Sequence, residues 1–155
     1  MLAQPRMLSK HFSLAELTHT SQKIANVPVS PIILNNLRVV CENILELIRS
    51  HYGRPVIIHS GYRCPAVNAA IGGSKTSQHM KGEAVDFHVS GHTVYDVAVW
   101  ISENLDYDQV ILENFVPGFT SSGWVHCSFS RRNRGQDLTK FRGSNAYRAG
   151  LILKP

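Results

Sequence analysis

Apolar residues recur at three- and four-residue steps through residues 31–52. Ile33, Leu34, Leu37, Val40, Cys41, Ile44, Leu45 and Ile48 form one stripe, which predicts an amphipathic helix. Ser30 suits its N-cap with Pro31 as the first helical residue, and Gly53 followed by Pro55 ends it. Residues 56–59 predict a short buried strand entering the turn Ser60-Gly61, and residues 65–71 a short helix broken by Gly72-Gly73. Polarity then alternates over 84–89, with Ala84, Asp86 and His88 on one face and Val85, Phe87 and Val89 on the other. A second amphipathic helix is expected over 93–104, through Val94, Val97, Ala98 and Ile101. Strands at 109–115 and 124–129, separated by a stretch holding Pro117, Gly118, Ser121, Ser122 and Gly123, read as a hairpin. Beyond Ser130 the periodicity is weak and no element is expected. The sum is an α+β domain, with helices packed against a small, mostly antiparallel sheet.

Composition changes this picture little. With 155 residues, 43% hydrophobic and 17% charged, the chain suits a single domain spanning 1–155, without repeats or low-complexity tracts. Cys41, Cys64 and Cys127 are too few and too scattered for a disulfide framework and form no C-x-x-C pair, as expected in a reducing compartment. The first residues lack the apolar run of a secretory signal, and no later stretch could span a bilayer. A cytoplasmic, monomeric protein is expected. Charge adds more: residues 130–155 carry seven Lys or Arg against the single acid Asp137, within a net charge of +5. A basic tail suits an anionic polymer, and equally reads as a solvated terminal segment.

The densest chemistry lies in Ser77-Gln78-His79-Met80-Lys81-Gly82-Glu83-Ala84-Val85-Asp86. An imidazole and a carboxylate suit Zn²⁺ at about 2.0–2.2 Å. Gly82 between them lets the chain turn back and bring His79 and Asp86 to one point. A catalytic zinc typically takes three protein ligands and a water, so a third must come from elsewhere. His126, in Gly123-Trp124-Val125-His126-Cys127-Ser128-Phe129, is the best candidate, because it alternates away from Val125 and Cys127. Taken alone, a strand histidine is more often structural.

The run Ser77-x-His79-x-x-Gly82-x-Ala84-x-Asp86, preceded by Ser60-Gly61-Tyr62-Arg63 and followed by Trp124-Val125-His126, resembles the zinc D-Ala-D-Ala carboxypeptidases and related peptidoglycan peptidases. These share a fold with the hedgehog signalling domain. The likeness extends to small phage- and prophage-type members, which carry a similar run from Ser60 to His79, and it covers roughly residues 8–134. It implies one zinc ion on His79, Asp86 and His126, and hydrolysis of D-amino-acid-containing peptide bonds in the stem peptide of the cell wall. Arg63 matches an arginine that binds a substrate carboxylate or polarises the scissile carbonyl; a loop-anchoring salt bridge is its other reading. Ser77, Gln78 and Trp124 are further substrate-binding candidates, the first two more as shapers of the His79 loop. Without a signal, such an enzyme is expected to reach the wall by phage-type release or as a virion component. The basic tail could then meet an anionic wall polymer.

Several relatives have a Glu three residues before the last His ligand, where this chain has Gly123. The general base must then come from elsewhere, and Glu113 is the choice. A hairpin symmetric about residues 116–123 pairs 113 with 126, 114 with 125 and 115 with 124, leaving Glu113 and His126 with Cβ atoms roughly 5 Å apart. A one-residue slip would turn Glu113 to the other face. The alternative role is orienting His126. His88 shares Asp86's face but sits roughly 6–7 Å further along and is read as a non-ligand. His59 reads as a packed core histidine or a support for Arg63, and Cys127 faces away from His126. Two rival functions remain: a degenerate zinc-containing wall-binding module, suggested by Gly123, and a nucleic-acid binder. The latter rests only on the basic tail and leaves the His79–Asp86 motif unexplained.

Overall fold

The structure is a computed structural model, and it describes residues 3–28 and 30–155. A one-turn helix α1 (Leu14–Leu17), closed by a capping box between Ser13 and Glu16, precedes the long helical segment expected from the apolar stripe. That segment begins at Pro31 with Ser30 accepting from the Ile32 N–H, and runs through α2 (Pro31–Val40), a π-helical turn (Cys41–Leu45) and α3 (Glu46–Tyr52). Cys41, Ile44 and Leu45, at three- and four-residue spacing, are all buried within this turn. Gly53, in the left-handed region, ends α3.

The remaining elements are β1 (Val56–Ser60), α4 (Pro65–Ala70), a 3₁₀ turn (Gln78–Lys81), β2 (Ala84–Val89), α5 (Val94–Asn104), β3 (Gln109–Phe115), β4 (Trp124–Ser128), β5 (Gln136–Phe141) and β6 (Arg148–Ala149). The six strands form one sheet in the order β1-β2-β4-β3-β5-β6, antiparallel except for the β3–β5 pair. The α+β fold is as expected. Val85, Phe87, Val110, Leu112, Val125 and Cys127 point from the sheet into a core shared with Leu37, Val40, Ile44, Val97 and Ile101. The helices therefore cover one face, and alternation leaves Asp86, Ile111, Glu113 and His126 on the other.

Three expectations change. Residues beyond Ser130 are no solvated tail: β5 pairs alongside β3, with Ile111 opposite Leu138 and Leu112 opposite Thr139. Leu151 and Leu153 pack against the core, and the Gly118 N–H donates to the Leu153 carbonyl. Strand β1 is an edge strand rather than a buried one, with Ile57 42% exposed, and His59 is exposed rather than packed in the core. Pairing shifts by one residue between Ile58 and Ser60, so His59 is the extra residue of a bulge, and its Nε2 lies 2.7 Å from His88 Nδ1. The β3–β4 register also differs: His126 pairs with Ile111 and Trp124 with Glu113, two residues from the symmetric pairing. Asn114 (φ 50°) and Gly123 (φ 64°) lift the chain out of the ladder, and β3 beyond Glu113 continues against β5 alone. A two-residue shift preserves side-chain parity, so Glu113 keeps the face of His126 as its diagonal neighbour.

Candidate metal centre

The 3₁₀ turn carrying His79 is capped by Ser77, whose Oγ accepts from the His79 N–H, and closed by Gly82 in the left-handed region at φ 73°. A Cβ at Gly82 would also lie 2.8 Å from the Ile33 carbonyl oxygen, which ties this turn to α2. The backbone stitches the turn to the Ser60–Arg63 loop: the Arg63 N–H donates to the His79 carbonyl at 3.1 Å. In return His79 Nδ1 lies 2.7 Å from the Gly61 carbonyl oxygen, so Nδ1–H donates there and Nε2 is left free to ligate. Asp86 and His126 are direct cross-strand partners on β2 and β4.

Ligand atoms of His79, Asp86 and His126 all lie within 4.8 Å of one another. Asp86 Oδ1 sits 3.3 Å from His79 Nε2 and 2.9 Å from His126 Nδ1, and the His79 side chain is 2% exposed. Burial opposes the charge on Asp86, but His79 and the hydrogen bond from His126 outweigh it and hold the carboxyl well below the usual carboxylate range. Two imidazoles and one ionised carboxylate on separate elements, converging in a partly buried cluster, form a donor set that fits Zn²⁺ and could hold it. His88 and Cys127 stay outside the cluster. His88 is engaged with His59, and Cys127 is fully buried on the opposite face with its thiol pushed up by desolvation.

The cluster lines a cleft of about 1030 Å³, together with Arg63, Ser77, Gln78, Glu113 and Trp124. The sequence-predicted residues are thus gathered in one place. Arg63 makes no ion pair within 4 Å among the described residues, so its reading as a salt-bridge anchor does not hold. Its Nε and the Trp124 Nε1 are buried without an acceptor in the protein. Two buried N–H donors left without a partner are unusual in a folded protein. Desolvation raises the Glu113 carboxyl above its ordinary value, against the pull of nearby His126. Ser77 and Gln78 shape the loop: the first caps the 3₁₀ turn, and Gln78 Nε2 donates to Asp108 Oδ2 at 2.9 Å.

The Asp108 carboxylate is the centre of a network whose role the sequence did not reveal. Asp108 is 0% exposed and receives Arg134 Nε at 2.7 Å and the Arg134 backbone N–H at 3.1 Å, besides Gln78. It joins the metal-side loop to the C-terminal segment. That segment also supplies Arg132, Lys140 and Tyr147 to the cleft wall, and Tyr147 Oη lies 3.3 Å from Glu113 Oε1. The sequence signals here were the excess of basic residues after Ser130 and the run Asp108-Gln109-x-Ile111-x-Glu113, similar to that of phage-type relatives, which pointed to Glu113 rather than to Asp108.

Against known proteins, residues 10–128 match the peptidase M15 family. The chain belongs to that family. Membership implies a zinc metallopeptidase, and the match spans every residue of the His79–Asp86–His126 cluster, Arg63 and Glu113. A search of curated proteins gives no match. The position where several relatives were expected to carry a Glu, Gly123, is closed to any side chain. A Cβ there would lie 1.9 Å from the Glu113 carbonyl oxygen, at a φ of 64°. Among the described residues, no helix is long and apolar enough to cross a membrane.

Proposed function

We propose that the protein is a zinc peptidase of the bacterial cell wall, hydrolysing peptide bonds next to D-amino acids in the stem peptides of peptidoglycan. The observation that carries this reading is the His79–Asp86–His126 cluster sharing a cleft with Glu113 and with the unpaired N–H donors of Arg63 and Trp124. His79 through Nε2, Asp86 through a carboxylate oxygen and His126 through a ring nitrogen would hold one zinc ion, which would supply a Lewis acid and an activated water. Glu113, on the same sheet face, takes the proton from the attacking water and returns it to the leaving amine. Desolvation raises its proton affinity, the direction such an exchange needs. Arg63 and Trp124 donate to substrate oxygens and orient the scissile bond.

The cleft supports a carboxylate-bearing peptide as substrate. Arg63, Lys81, Arg132, Arg134 and Lys140 line it, against only Asp86 and Glu113. Both a D-Ala-D-Ala carboxypeptidase and an endolysin-type endopeptidase fit such a cleft. The alternative, a catalytically degenerate wall-binding module, drew on the missing acid at Gly123, and the presence of Glu113 in the cleft supports the peptidase over it. Digesting purified peptidoglycan and identifying the new ends by mass spectrometry tests the reading and names the bond. New amino and carboxyl ends that vanish with a zinc chelator are expected. Binding to the wall without any new ends would favour the module.

A further inference from the structure

The family match stops at residue 128, yet residues beyond it supply part of the cleft wall, Tyr147 beside Glu113 among them. The segment that joins β5 to β6 brings Tyr147 over β3, where its Oη lies 3.3 Å from Glu113 Oε1. Among the described residues no other side chain hydrogen-bonds that carboxylate. The separation exceeds the usual 2.7–2.8 Å of an O–H···O bond, as is common in a site before substrate tightens it.

Tyr147 is poorly suited to a packing role, because it remains 51% exposed. It is nevertheless held in place. Lys140 Nζ lies 5.6 Å from its ring centroid, and the next residue, Arg148, pairs with Thr139 and reaches over the Phe141 ring at 5.5 Å. A half-exposed phenol fixed beside the one carboxylate that can serve as base suggests a function at that carboxylate.

We propose that Tyr147 is a positioning residue for Glu113. Its phenol O–H engages Oε1, which leaves the second oxygen turned toward the His79–Asp86–His126 cluster and the water that Glu113 must deprotonate. The role rests on the reading of Glu113 as the base. The C-terminal segment is then part of the catalytic apparatus, and an M15 chain ending after its last histidine ligand would have to fix its base by other means.

Tyr147→Phe in the full chain removes one oxygen and keeps the ring. The expected result is a kcat about 10-fold lower, a KM within 2-fold of wild type, and unchanged zinc content and melting temperature. A raised KM with unchanged kcat would overturn the proposal by making Tyr147 a substrate-binding residue; unchanged kcat and KM would also overturn it. A second measurement needs neither zinc nor substrate. Burial and the Glu113 charge push the Tyr147 phenol up to about 12. Tyr52, Tyr62 and Tyr107 are raised by burial as well, so the reading is by difference: in ultraviolet titration of the five tyrosines, one of the late-ionising phenols should be lost in Tyr147→Phe, and that same phenol should ionise earlier in Glu113→Gln. A Tyr147 phenol indifferent to Glu113→Gln would refute the contact. If that coupling is found while no wall peptide is cut, it is the reading of the substrate that fails.

Discussion

In the proposed mechanism Glu113 is the residue on which the chemistry turns. Replacing it with Gln keeps the shape but removes the base, so kcat/KM should fall by at least about 100-fold while elemental analysis still finds zinc. Because burial raises its proton affinity, the group is protonated and inactive at low pH, and activity appears as pH rises through its shifted value. The acid limb of kcat/KM should therefore lie above the ordinary glutamate value of about 4.3. Asp108 obeys the opposite sign. Burial opposes its charge, but Arg134 and Gln78 hold its carboxyl far below normal. The stability it contributes is present above the unfolded carboxylate value of about 3.9 and is lost as pH falls toward the folded one. Asp108→Asn, which sets an amide N–H against Arg134, should cost about 2–4 kcal/mol at neutral pH and flatten the acid slope of thermal melting. Gly123→Ala should destabilise by at least about 2 kcal/mol through its φ and its clash with the Glu113 carbonyl, seen as a lower melting temperature. At this scale the sequence was most informative where chemistry is local. His79 and Asp86 share one short motif, whereas Asp108 and Tyr147 gain their meaning only from partners 26 to 34 residues away.

Among elements, strand parity proved more legible than strand register. Alternation alone put Asp86 and His126 on the open face, where they pair directly. The count of loop residues could not reveal that Asn114 and Gly123 would take left-handed conformations and move the β3–β4 pairing by two. The long helix was visible from its stripe, its π-helical turn was not, since three- and four-residue steps continue across it. Val-Ile-Ile in β1 suggested a buried strand, but an edge position leaves Ile57 in solvent. β5 was hidden for a different reason. Its buried residues, Leu138 and Thr139, are adjacent rather than alternating, and Thr139 is buried through hydrogen bonds to Gly150 and Ile152. Removing residues 136–155 would bare the β3 ladder and expose Val110, Ile111 and Leu112 along an open edge. The truncated chain is expected to aggregate on expression, which sedimentation of the lysate would reveal.

For the molecule as a whole, the two-layer plan explains why one face serves stability and the other chemistry. Helices take up the apolar side of the sheet, and loops wall in its polar side around a cleft richer in Lys and Arg than in acids. The chain's net charge of +5 is therefore partly a property of the site. Zinc binding should also stabilise the fold, since its ligands come from the 3₁₀ turn, β2 and β4. At free zinc 100- to 1,000-fold above Kd the gain is about 2.7–4.1 kcal/mol. Chelation should lower the melting temperature by on the order of 10 °C, measured by scanning fluorimetry with and without added zinc.

The parallel β3–β5 pair carries a consequence for the order of folding. β3 and β4 are joined by a short connection and can pair as a local hairpin, whereas a parallel neighbour cannot be reached by a tight turn. Docking of β5 closes a longer loop and is entropically the costlier step. Lys140 and Tyr147 come to the cleft with that strand and the turn after it. The wall beside Glu113 is therefore completed by a long-range pairing, and a destabilised β5 would open the cleft on that side.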